Sequence, residues 1–259
     1  MSGRLIVLGS GTSFGVPVVG CECAVCTSDD PKDRRSRTAA VIEVDGGPRL
    51  LVDTPQELRL QLVSAGIGSV DAVLYTHAHA DHVSGIDDLR ALSVRRGEVA
   101  VYGPAETIDE LASRFGYIFD PGVEPKSGTC KPQLRPNAIE PYEPLVIAGT
   151  TVLAVELDHG GTRVYGYRVG EVAYLTDAKL VPEAAIDALR GVEVLVLNAL
   201  FDEPHPTHLS IPEAVETARL IGAEQTFLTH LTHGHSHADL ESRLPEGIRP
   251  AYDGLAAVF

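Results

Sequence analysis

Short apolar runs recur along the chain at 5–8, 39–44, 50–52, 72–75, 99–102, 151–155, 172–175, 192–197 and 226–228, and each predicts a β-strand. Helical periodicity falls between several of them, at 55–65, 86–94, 105–115, 182–189 and 211–221. The first and the last two of these segments carry a proline in the opening turn, where its missing N–H costs nothing. The runs are spread over the full length, which predicts one domain over residues 1–259. Strands gathered in two halves, each accompanied by helices, favour a sheet-on-sheet sandwich with helices outside, an α/β (α+β) architecture, over a strictly alternating doubly wound sheet. Residues 120–144, rich in proline and glycine and without periodicity, are predicted to form a long loop.

Composition leaves this picture intact: 259 residues, 44% apolar and 22% charged, can build a sizeable core without disulfides. No run approaches membrane-spanning length and the apolar stretch near the start is too short for a signal peptide, so a cytoplasmic protein is expected. Charge adds more, because a net −15 opposes broad attraction to nucleic acid. The local basic cluster Lys32, Arg34, Arg35 and Arg37 reads most simply as a solvated loop.

The chemistry is concentrated after the run at 72–75, where His77-Ala78-His79-Ala80-Asp81-His82 places four metal-ligand side chains in six residues. Imidazole and carboxylate donors suit zinc, manganese or iron. Residues two apart on an extended segment point the same way, so His77 and His79 can share one ion while Asp81 and His82 face a second. A two-metal site needs further donors at other strand ends. His159, Asp177 and His230 stand after the runs at 151–155, 172–175 and 226–228. The glycine-rich turn from Gly9 to Pro17 lacks the lysine of a nucleotide P-loop, and a structural turn is at least as good a reading as a phosphate cradle.

In this order the ligands resemble those of the metallo-β-lactamase superfamily. The resemblance implies a four-layer αββα sandwich with metal at one edge of its two sheets. It assigns His77, His79 and His159 to one ion, Asp81, His82 and His230 to the other, and Asp177 to a bridge between them. The filled bridging position points away from β-lactam hydrolysis and towards phosphodiesterase or glyoxalase-type members.

Cys21-Glu22-Cys23-Ala24-Val25-Cys26 packs three of the four cysteines into six residues, which in a reducing compartment predicts metal binding. A closed tetrahedral zinc needs a fourth donor, and the segment with His230, His233, His235 and His237 can supply it. The cysteine spacing resembles that of the PhnP-type phosphoribosyl cyclic phosphodiesterases, which implies His233 as the fourth ligand and leaves His235 and His237 as surface residues. Cys130 receives no role. The same resemblance implies a non-ligand histidine as proton donor, matched best by His208, with His205 the competitor.

The expected activity is therefore hydrolysis of a small phosphodiester, cyclic or nucleotide-like, by a hydroxide activated between two divalent ions, manganese or zinc, with one further structural zinc. His208 and Asp81 are the expected catalytic residues, extended nucleic acid is an unlikely partner by charge, and the resemblance suggests a homodimer. The competing readings are tRNA 3′ processing, a PqqB-like role in cofactor biosynthesis, a glyoxalase-type thioesterase, and a non-enzymatic module that kept the fold.

Overall fold

The computed structural model describes residues 2–259. Its strands are β1 (Gly3–Gly9), β2 (Ala39–Val44), β3 (Arg49–Val52), β4 (Ala72–Leu74), β5 (Val99–Gly103), β6 (Leu134–Ala138), β7 (Pro144–Ile147), β8 (Thr150–His159), β9 (Thr162–Val169), β10 (Val172–Leu175), β11 (Val194–Asn198), β12 (Gln225–Thr229), β13 (Ile248–Pro250) and β14 (Ala256–Val258). The first sheet has the order β14-β1-β2-β3-β4-β5-β6 and the second β13-β12-β11-β10-β9-β8-β7. Each sheet joins a parallel half to an antiparallel half. β3 to β6 run parallel, as do β10 to β13.

The apolar runs are continuous because the strands are buried on both faces. On β2, Ala40, Ile42 and Val44 point between the sheets while Ala39 and Val41 point outward. Val172 and Tyr174 of β10 meet them from the second sheet, and Ala173 and Leu175 face the other way. Helices α1 (Leu58–Ser64), α2 (Ala80–Val83), α3 (Arg90–Arg96), α4 (Ala105–Arg114), α5 (Gly116–Phe119), α6 (Glu183–Leu189), α7 (Ile211–Ile221) and α8 (His237–Arg243) cover the outside. Leu58, Leu92 and Leu111 seal the outer face of the first sheet, and Ala185, Ala214, Ala218 and Leu240 that of the second. The result is the expected four-layer αββα sandwich. Among the described residues no helix is long and apolar enough to cross a membrane.

Several expectations need correction. The predicted loop at 120–144 contains β6, an edge strand with only Leu134 buried, where Pro136 is tolerated because one side carries no ladder. β9 escapes the run criterion because Arg163 and Arg168 flank its core residues, yet Val164, Tyr165 and Tyr167 are fully buried. β7, β13, β14 and α8 are short and partly exposed, so their apolar signal is weak. Arg35 is no solvated loop residue: it is buried, donating to the carbonyls of Thr232 and His235 and pairing with Asp33.

Candidate metal centre

The donors converge because the strands that precede them end on the same edge of the sandwich. Asp53 follows β3, the His77–His82 motif follows β4, His159 closes β8, Asp177 follows β10 and His230 follows β12. The motif is extended only as far as His79, whose ψ is 148°; Asp81 and His82 sit in the short turn of α2. Asp53, Asp177 and His230 all have φ near +60°, at 62°, 57° and 58°. Such left-handed backbone in non-glycine residues is costly and concentrates at functional sites.

Two groups of ligand atoms result. His77, His79, His159 and Asp177 form one; Asp81, His82 and His230 form the other, with the atoms of each group within 4.8 Å of one another. Asp177 faces both. Its Oδ2 lies 3.7 Å from His77 Nε2, and its Oδ1 lies 3.5 Å from His82 Nε2 and 3.2 Å from His230 Nδ1. His82 Nε2 is buried without a hydrogen-bond partner, with Asp81 Oδ2 at 3.4 Å. A cation held tetrahedrally by nitrogen and oxygen at about 2.0–2.1 Å has ligand–ligand edges of about 3.3 Å, so these spacings and the orphaned nitrogen fit divalent metal.

Neighbouring groups set which ring nitrogen faces the centre. Asp53, fully buried, accepts from His82 Nδ1 at 2.7 Å and from the Thr76 amide and hydroxyl at 2.9 and 2.8 Å. The Thr207 carbonyl accepts from His159 Nδ1 at 2.6 Å, and Thr76 Oγ1 lies 2.9 Å from His77 Nδ1. Partners of this kind orient ligating histidines and raise their basicity. Asp53 went unrecognised in the sequence, although it follows an apolar run as directly as any ligand does.

Burial pushes His77 well below its ordinary pKa, with His82 adding to the effect, and it lowers His159 and brings His230 to about 4. These rings are held as the neutral bases that a cation requires. Burial opposes the ionised Asp177, but His230, His82 and the His208 hydrogen bond outweigh it and hold the carboxyl well below its usual range. For His82 the carboxylates of Asp177, Asp53 and Asp81 overcome burial and raise the pKa. His79 is exposed, and a cleft of about 270 Å³ opens beside it and His77.

His208 lies against this centre, with Nε2 3.3 Å from Asp177 Oδ2. Its place is set by the start of α7, where Ser210 and Glu213 form a capping box two residues later. His205 sits farther out, 5.4 Å from the His208 ring by centroids. The hairpin between β8 and β9 brings Gly160 so close that a Cβ there would stand 2.7 Å from Thr207 Cγ2, in a turn that requires φ of +62°.

Cys21, Cys23 and Cys26 surround His233 Nδ1 at 3.4, 3.3 and 3.4 Å. Zinc bonds of about 2.3 Å to sulfur and 2.0 Å to nitrogen give edges of about 3.5 Å, so this set fits a closed tetrahedral ion. The Cys26 amide and then His233 draw the Cys23 thiol down to about 6, while burial raises Cys26 to about 11. His235 and His237 lie outside the cluster, and neither is a plain surface residue. His237 is buried against Tyr252, and His235 joins Asp202 at 2.8 Å and Asp239 at 2.9 Å. Cys130 is exposed and apart from both groups. The glycine-rich turn is a packing device: a Cβ on Gly9 would lie 2.0 Å from the Arg37 carbonyl, and one on Gly11 2.6 Å from that of Arg35.

Residues 42–231 match the family described as the beta-lactamase superfamily domain. A crystal structure of a diphosphatase from the PhnP family superimposes with a TM-score of 0.91 at 40% identity, covering 100% of this chain and 98% of that one. An octanoyltransferase of Porphyromonas gingivalis is 42% identical over 99% of this chain, but the chain spans only 51% of that protein's length. A ribonuclease Z of a Mycobacterium species is 27% identical over 77% of this chain and 79% of its own.

Proposed function

The chain belongs to the metallo-β-lactamase superfamily of metal-dependent hydrolases, and on that premise we propose that it cleaves a small phosphodiester, cyclic or nucleotide-like, at a dinuclear centre. The observation that carries the reading is Asp177, whose two oxygens face two different groups of donors. His77, His79 and His159 would hold one ion, Asp81, His82 and His230 the other, and Asp177 both. Bound there, two divalent cations supply a nucleophile at neutral pH and offset charge on the phosphoryl oxygens. Zinc and manganese both suit this donor set. Cys21, Cys23, Cys26 and His233 would hold a separate structural zinc.

The remaining steps belong to the chain itself. Asp53 and the Thr207 carbonyl keep His82 and His159 turned towards the centre. His208, half-buried beside Asp177, would deliver a proton to the departing oxygen, since an alkoxide leaves poorly as an anion. The net charge of −15 favours a small substrate over an extended polyanion such as tRNA. A second reading, cleavage of a phosphoanhydride, is favoured by the PhnP-family diphosphatase; its phosphate leaving group needs less help from an acid.

The test is turnover of bis(p-nitrophenyl) phosphate with added Mn²⁺, abolished in Asp81→Ala. Metal-loaded protein that turns over neither diesters nor phosphoanhydrides would overturn the proposal.

A further inference from the structure

Phenylalanine is scarce here, with six residues and no tryptophan in the chain, and four of the six are at least partly buried. The other two, Phe14 and Phe201, are 73% and 43% exposed, and both line one cavity of about 180 Å³ with Val18, Thr232 and His233. Neither ring packs into a core cluster, so folding alone does not account for them.

The cavity stands beside the candidate centre. A row of rings leads from one to the other: Phe201 to His205 at 5.7 Å, His205 to His208 at 5.4 Å, then His208 Nε2 to Asp177 at 3.3 Å. Thr232, which also lines the cavity, lies two residues after His230. Its walls are anchored by the cysteine cluster, since Cys26 Sγ accepts from the Val18 amide at 3.3 Å and His233 lines the cavity itself.

We propose that Phe14 and Phe201 form an aromatic slot that takes the base of a nucleoside-bearing substrate while its phosphoester lies at Asp177. Two aromatic side chains lining an apolar cavity offer a base its preferred contact, stacking. A base is joined to a 2′,3′-cyclic or 5′ phosphoester through one ribose, and the His205–His208 row runs between Phe201 and Asp177. The inference rests on the phosphoesterase reading and names its substrate class.

Kinetics on the metal-loaded protein with 2′,3′-cyclic AMP and with methyl riboside 2,3-cyclic phosphate, which has no base, test it. Phe201→Ala and Phe14→Ala are expected to raise KM for the nucleotide by between about 5- and 100-fold and to leave the base-free diester within about 2-fold. Phe201→Tyr should restore the loss and Phe201→Leu should not. Equal losses on both substrates, no loss on either, or full function in Phe201→Leu would overturn the slot, the last by marking it as a seat for an aliphatic group. Equilibrium dialysis of AMP against ribose 5-phosphate separates this inference from the reading beneath it. If no phosphoester turns over, a preference for AMP that Phe201→Ala removes still upholds the slot, and equal binding of the two ligands overturns it.

Discussion

The two donor clusters share one stretch of chain, His230 standing in one and His233 in the other, yet they differ in make-up. The cysteine cluster has four donors, its three sulfurs standing 3.3–3.4 Å from His233 Nδ1. The histidine–aspartate cluster has more donors, a shared carboxylate, an exposed edge at His79 and a half-buried histidine at its rim. Closed coordination with thiolates suits holding a loop; open coordination with neutral imidazoles and carboxylates suits admitting a substrate. Their supports differ as well. Asp53, Thr76 and the Thr207 carbonyl orient the histidines, whereas the thiol cluster rests on the Val18 and Cys26 amides.

The sharpest contrast is expected from Asp177→Ala, which should lower kcat/KM for a phosphodiester at least about 10³-fold, because both groups lose a shared donor. Zinc at the cysteine cluster should remain, by elemental analysis after mild chelation. Loss of that zinc as well would mean that the clusters are not independent.

Next is His208→Ala. Hydrolysis of alkyl phosphodiesters should slow by about 10²- to 10³-fold, and p-nitrophenyl esters, whose leaving group needs little protonation, much less. Equal slowing of both removes His208 as the proton donor, and slowing of neither favours the phosphoanhydride reading.

Asp53→Asn tests the support of the open cluster. It keeps the shape but removes the carboxylate that accepts from His82 Nδ1, and should cost about 10- to 100-fold in metal affinity, read by Mn²⁺ titration of activity. Unchanged titration would show that His82 is oriented by packing alone.

The smallest effect on chemistry is expected from Cys23→Ser. One equivalent of zinc should be lost and Tm should fall by about 5–10 °C, corresponding to about 2–3 kcal/mol in a chain of this size. Turnover of small base-free diesters should stay within a few-fold. A loss as large as that of Asp177→Ala would erase the distinction between a holding site and a working one.

Much of this was legible in the chain itself. Continuous apolar runs announced strands buried on both faces, and ligand residues directly after them marked strand ends, because a strand's burial and the exit of its side chains are local properties. The αββα class followed from the resemblance that those ligands carry. β9 stayed hidden because Arg163 and Arg168 flank its short buried stretch, and β6 because only Leu134 of that edge strand is buried.

The sequence by itself determined the donor types, the cysteine cluster and the acidic charge. Only the tertiary structure decided that Asp53 stands behind His82 and that Phe14 and Phe201 line one cavity, and it gave the positions that the resemblance implied for Asp177 and His208 their geometry. The physical reason is sequence distance. These pairs are brought together by the packing of two sheets and the order of their strands, and no local pattern of side chains encodes which strand ends become neighbours.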